Sequence, residues 1–198
     1  MKILKFILSF SFILPFPAYA QYSTLSSSKW SPVIAGDPNA PRSGVSNRNG
    51  SQFIVYDYTN FSLGDCKSFN GIDRLDGSIE IIIPAARIPR DIRSQSLGSK
   101  GISKIFNAVI AVSDGVEGYP IMTTVYGDVD GGYWTFTLSP DSQDHLDVFR
   151  EIIPGLKSGV SVSFDLLSKD QTGNLANETF VLKGSSAALR GMLEQCTP

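Results

Sequence analysis

The chain has 198 residues, 17 basic and 19 acidic side chains, a formal net charge of −2 and an apolar share of 42%. That length suits one domain with a sizeable core. A weakly acidic chain of mixed charge lacks the basic footprint of a nucleic-acid-binding protein and the polybasic stretch that anionic lipid requires, so neither partner is expected.

Met1 to Lys5 is a short basic start, and Phe6 to Phe16 is an apolar run broken only by Ser9, Ser11 and Pro15. Ala18-Tyr19-Ala20 then places small residues at the −3 and −1 positions of a cleavage site before Gln21. Residues 1–20 therefore read as a secretory signal peptide, too short and punctuated for a stable membrane span. No cysteine follows the cleavage site, which argues against a lipid anchor. The expected location is periplasmic or secreted, with no transmembrane segment after cleavage. Removal of Lys2 and Lys5 makes the remainder more acidic.

Residues 21–50 are rich in Ser, Pro, Asn and Gly, with little periodicity beyond Trp30 and Val33-Ile34. They read as a loose N-terminal arm that becomes ordered near Trp30. From Ser51 onward strands dominate. Ser51 to Tyr58 alternates, with Phe53 and Val55 on one face and Ile54 and Tyr56 on the other. Ser78 to Ile83 is a β-branched run ending at Pro84, and Arg87 to Gly101 is a polar connection. Lys104 to Val112 is apolar enough to expect burial on both faces. Pro120 to Tyr126 and Gly132 to Leu138 read as a hairpin joined by Gly127-Asp128-Val129-Asp130-Gly131.

A helix is predicted from Ser139 to about Ile153. Ser139 would be its N-cap, Pro140 its first helical position, and Pro154-Gly155 its end. Val160 to Leu166 and Glu178 to Leu182 are the last two strands, joined by a polar loop. A second helix is predicted from Ser185 to about Gln195. Gly184 would make the sharp turn into it, and Ser185 or Ser186 would cap it. Residues 51–198 thus predict a single, mainly β domain, a β-sandwich-like or partly open barrel, with two short helices.

The ending Leu182-Lys183-Gly184-Ser185-Ser186-Ala187-Ala188-Leu189, followed by Cys196, resembles that of small exported bacterial proteins of the invasion-associated locus B type. Trp30, the Gly131-Gly132-Tyr133-Trp134 hairpin and the helix before Gly159 are compatible with it. The similarity covers a third to a half of the chain and is strongest at the C-terminus. The Arg87 to Gly101 loop and the first third depart from the family pattern. The resemblance implies a compact, β-rich periplasmic protein with a disulfide, and it transfers no catalytic residues.

Cys66 and Cys196 are the only cysteines. An even count in an exported chain predicts one disulfide between them, worth up to roughly 4–5 kcal/mol on the chain-entropy model. Without CxxC spacing, and with His145 the single histidine, they make no zinc constellation; neither metal nor cofactor is expected. His145 is predicted to be a solvent-facing helix residue, because no nucleophile motif accompanies it. Asp128 and Asp130 lack the further ligands of a calcium loop.

Arg87, Arg90, Arg93, Lys100 and Lys104 form the basic cluster, a candidate contact for an anionic partner or otherwise a solvated loop. Tyr56, Tyr58, Phe61, Tyr119, Tyr126, Tyr133 and Trp134 are core residues or, if several face outward, a partner or ligand patch. The leading expectation is a non-enzymatic protein that binds a protein or envelope component through its surface, with a role in host interaction. The alternatives are a small-ligand carrier with an internal cavity and a carboxylate-based hydrolase.

Overall fold

The computed structural model describes residues 25–32, 42–57, 68–69, 72–73, 77–89, 92, 104–130, 132–139, 142–171 and 173–189. Tyr58, Phe61, Cys66, Cys196, Arg90, Arg93, Lys100 and the proposed signal peptide lie outside the described residues.

The chain is mainly β. In order, the strands are β1 (Ser31–Pro32), β2 (Arg42–Ser46), β3 (Gln52–Asp57), β4 (Ser68–Phe69), β5 (Ile72–Asp73), β6 (Gly77–Pro84), β7 (Lys104–Ser113), β8 (Gly118–Asp130), β9 (Tyr133–Leu138), β10 (Ser161–Leu167) and β11 (Asn174–Val181). A 3-10 turn, Ala85–Arg87, follows β6. Helix α1 is Gln143–Ser158 and helix α2 is Ser185–Ala188. Strands β4 and β5 pair only with each other. The rest form one antiparallel sheet in the order β1-β2-β3-β6-β9-β8-β7-β10-β11. Of the two β architectures expected, this is the partly open barrel: one curled sheet rather than two stacked sheets.

Side-chain alternation makes the barrel. Phe53 and Val55, Ile79, Ile81 and Ile83, Trp134, Phe136 and Leu138, and Val162, Phe164 and Leu166 are all essentially buried on one face. The interior is filled by aromatic rings. Trp134 stacks on Phe136 at 5.7 Å, Phe106 meets both edge-on, and Phe136 reaches Phe164 at 5.6 Å. Such pairs add about 0.5–1.5 kcal/mol beyond their area burial.

The two ends of the strand order meet. The Trp30 backbone N–H donates to Lys183 O at 2.8 Å, and its indole Nε1–H donates to Val181 O at 2.9 Å. Phe53 of β3 touches Phe180 of β11 at 5.6 Å across the same seam. Glu178 points inward from β11, is 1% exposed, and carries three donors. Arg87 Nε and Asn47 Nδ2 donate at 2.6 Å, and Asn49 Nδ2 donates at 3.3 Å. A buried carboxylate is tolerated only when paired and hydrogen-bonded in this way.

Several expected elements differ in extent. Arg42–Ser46, inside the expected loose arm, is a strand paired with β3, and Ser46 bonds back to Ser26 and Leu25. The β8–β9 hairpin is not turned by Gly127 to Gly131. Both strands continue until Asp130 pairs with Tyr133, so the reversal falls beyond Asp130, where Gly132 takes a φ of 88°. Strand β7 is not buried on both faces. Ala108, Ile110 and Val112 are inside, while Ile105 is 66% exposed, because a curled antiparallel sheet has an outer face.

Helix α1 starts at the Ser142 cap, whose Oγ accepts from His145 N, rather than at Ser139. It also runs through Pro154-Gly155. Phe149, Ile152, Ile153 and Leu156 form one fully buried face, which rewards the extra turn. Pro154 is on the exposed side and forgoes one helical bond. Gly155 is needed for approach: a β-carbon there would lie 3.3 Å from the Val112 side chain. At the other helix, Gly184 takes a left-handed φ of 86°, as the sharp turn requires. Ser185 is not the cap. Its buried hydroxyl lies 2.5 Å from Leu156 O and 2.6 Å from Leu182 O, so its one proton ties α2 to α1. The described part of α2 ends at Ala188; the predicted extension to Gln195 lies outside the described residues.

Arg87→Ala leaves Glu178 in the interior with only neutral amide donors. Arg87 is 40% exposed, so solvent recovers part of the loss. The expected cost is about 1–3 kcal/mol, read as a lower urea midpoint at unchanged slope.

Candidate functional site

Of the sequence-derived basic cluster, Arg87 and Lys104 are described. Arg87 is engaged with Glu178 in the seam. Lys104 begins β7 opposite Gly127 and is half-buried.

His145 is a correction. It was expected to face solvent, but it is 9% exposed and its Nε2 lies 2.9 Å from Thr124 Oγ1. Helix α1 follows β9, whose end leaves β8 without a partner on that side at Thr124. The first turn of the helix drops beside this stretch and carries the imidazole onto the threonine. Thr124 is a residue of β8, so the contact joins the first turn of α1 to the ribbon. Asp128 Oδ1 accepts the Val129 N–H, a local turn contact.

On the outer face of the sheet, β2, β3 and β6 assemble a polar group that the sequence pattern did not mark. Arg42 stands opposite Tyr56, donates from Nη1 to its hydroxyl at 3.1 Å, and lies over its ring at 5.2 Å. Glu80, opposite Ile54 on the next strand, bonds the same tyrosine. Burial pushes the Glu80 carboxyl above its ordinary range, against the lowering pull of Tyr56 and Arg42. Burial, followed by the Glu80 charge, pushes the Tyr56 phenol well up. Leu25, Ile54 and Ile82 pack beside the group, with Tyr133 and Tyr56 against them.

The most exposed apolar surface lies elsewhere. Strand β8 pairs with β9 only from Tyr126 to Asp130, so from Gly118 to Val125 it is bonded to β7 alone and the β7–β8 ribbon has one open edge, while β7 pairs on its other side with β10. Among the described residues, the large exposed apolar side chains are Ile105, Val116, Tyr119, Met122, Val160 and Val181. The first four lie on this ribbon or its turn. Ile105 and Met122 are on the outer face, in register with Tyr126 and Val109. The turn is built to hold Val116 out. Asp114 Oδ1 accepts the N–H groups of Val116 at 2.8 Å and Glu117 at 2.9 Å, and Gly115 takes a φ of 98°. These two backbone donors, Glu117 first, hold the Asp114 carboxyl below its usual value, so it stays ionised.

Between the inner side of this ribbon and α1 lies a groove of about 300 Å³. Val112, Ile121 and Gly155 contribute its apolar wall, Tyr119 borders it at 59% exposure, and Asp114 and Glu151 supply carboxylates. Among the described residues no group of His, Cys, Asp and Glu is arranged to hold a metal ion, and no helix is long and apolar enough to cross a membrane. No family model and no curated protein matches the chain.

Two outcomes follow from these environments. His145→Ala removes a buried ring and one hydrogen bond, so it should cost about 1–2 kcal/mol in chemical unfolding rather than the under 0.5 kcal/mol of a surface change. Glu80 carries a raised folded pKa, so its contribution to stability is full below the ordinary glutamate value, about 4.3, and is lost as pH rises through the raised value. Glu80→Gln should therefore gain stability relative to the parent as pH rises across that window. Urea unfolding on both sides of the window reads the sign.

Proposed function

We propose that this chain is an exported, non-enzymatic binding protein that works through the β7–β8 ribbon. The observation that carries the reading is the exposure of Ile105 and Met122 on the outer face of the β7–β8 hairpin, with Val116 exposed at its turn and Tyr119 on its other face. Leaving large apolar side chains in water forgoes about 1.5–3 kcal/mol each, and exposed apolar side chains gathered on one element are characteristic of interaction sites.

The filled interior weighs in the same direction. Trp134, Phe136, Phe106 and Phe164 occupy the space that a carrier of small ligands would need. The leader-like residues 1–20 support export, and the C-terminal resemblance to invasion-associated locus B proteins supports an envelope or host-contact role. The partner in this reading is a protein or envelope component.

A photo-crosslinking residue at Met122, with Lys169 as an exposed control site, tests the proposal in the native envelope. A discrete adduct at Met122 and none at Lys169 is expected. Equal labelling at both sites, or none at Met122, would overturn it.

A further inference from the structure

We infer that the groove between α1 and the β7–β8 ribbon receives a lysine or arginine side chain, carried on an apolar segment of the partner protein. The inference rests on the reading of the ribbon as the binding surface and adds the chemistry of what binds there.

The shape comes first. Gly155 and Gly159 of the helix end lie against Val112, and Ile121 and Tyr119 line the space beside them. The groove is too open to dehydrate a ligand completely and too apolar to favour a polar chain. A long side chain with an aliphatic stem and a charged head matches it, because the stem covers apolar surface while the head stays at the rim.

The charge follows. Asp114 and Glu151 are the carboxylates lining the groove. Asp114 uses Oδ1 to cap the turn, which fixes the carboxylate in place and keeps it ionised. Glu151 is exposed on α1. Glu117 adds a third carboxylate in the same turn. A carboxylate-rimmed groove attracts a cation and repels an acidic side chain, which sets both partner choice and association rate. Tyr119, 59% exposed, borders the groove with an aromatic ring, which favours a cation over an anion.

Apolar anchors lie beside the groove. Val116 at the tip is 90% exposed, and Val160 is 57% exposed. A β-carbon on Gly115 would lie 3.5 Å from the Val160 side chain, so turn and strand entry form one apolar rim. A segment alternating basic and apolar residues would place its cation in the groove and its apolar neighbours on Val116 and Val160.

The test uses capped pentapeptides alternating leucine with lysine, glutamate or norleucine, titrated into the isotopically labelled protein and read by amide chemical shifts. The lysine peptide should shift Tyr119, Ile121, Glu151 and Gly155, and should weaken as salt is raised. Glu151→Lys should reduce its affinity at least tenfold, with an unchanged circular-dichroism spectrum confirming the fold. The inference is overturned if the glutamate or norleucine peptide binds equally well, if the shifts fall only on the outer face around Ile105 and Met122, or if self-association alone produces them. The Met122 crosslink separates the two levels. An adduct that persists undiminished in Glu151→Lys retains the ribbon as a binding surface and rejects the groove chemistry. An adduct lost in that variant supports both.

Discussion

Closure of the curled sheet depends on a carboxylate that faces the wrong way for its chemistry. Glu178 lies on the inward side of β11, in line with Phe180, and is buried. Its charge is held by a guanidinium from the turn after β6 and by two amides from the turn after β2. These donors come from the opposite side of the seam, so the carboxylate can be satisfied only when β11 and the β2–β3 turn are brought together. The pair therefore specifies closure more than it stabilises it, since desolvation offsets much of the attraction in a buried ion pair. Trp30 acts at the same seam through two hydrogen bonds to carbonyls at the end of β11.

The rest of the architecture follows from that closure. Once the sheet curls, large residues on its concave side meet across the barrel, and the aromatic cluster fills it. The buried face of α1 then belongs to the same core, and Ser185 ties α2 to α1 through the Leu156 carbonyl. The sheet is interrupted where β8 outruns β9. Strand β9 stops at Leu138 while β8 continues, and α1 crosses at that point. His145 and Gly155 show how closely the helix then follows the ribbon, one through a hydrogen bond and the other through lack of a side chain. The groove is the space left beside the Gly155–Val112 contact.

The surface is divided by chemistry. The outer face of β2, β3 and β6 is internally satisfied, with Arg42, Tyr56 and Glu80 bonded to one another and Leu25 laid beside them. The ribbon is not satisfied in this way. Its outer face presents Ile105 and Met122, and its tip presents Val116 beside an ionised Asp114. The first arrangement stabilises the domain, and the second is available to a partner.

Much of the β structure was legible because its physics is local. Alternation at Val162, Phe164 and Leu166 names the inward set without any partner strand, and the Gly184 bend is required wherever a strand turns sharply into a helix. Glu178 was also partly legible: it shares the parity of Phe180, and a glutamate on an inward row demands a counter-charge. Its partner was not legible, because Arg87 is 91 residues away and reads as one cation of a basic loop. Helix α1 shows the same division. Its apolar spacing was visible, but Pro154-Gly155 signals an end by local rules, and only packing against Val112 makes the glycine a contact and carries the helix to Ser158. The burial of His145, the exposure of Ile105 and the groove depend on which strand outruns its neighbour and what crosses there. Sequence alone determined a mainly β, weakly acidic domain behind a leader-like segment. Tertiary structure decided the seam, the ribbon and the groove, because each is a meeting of surfaces from distant segments whose energies exist only once the sheet has closed.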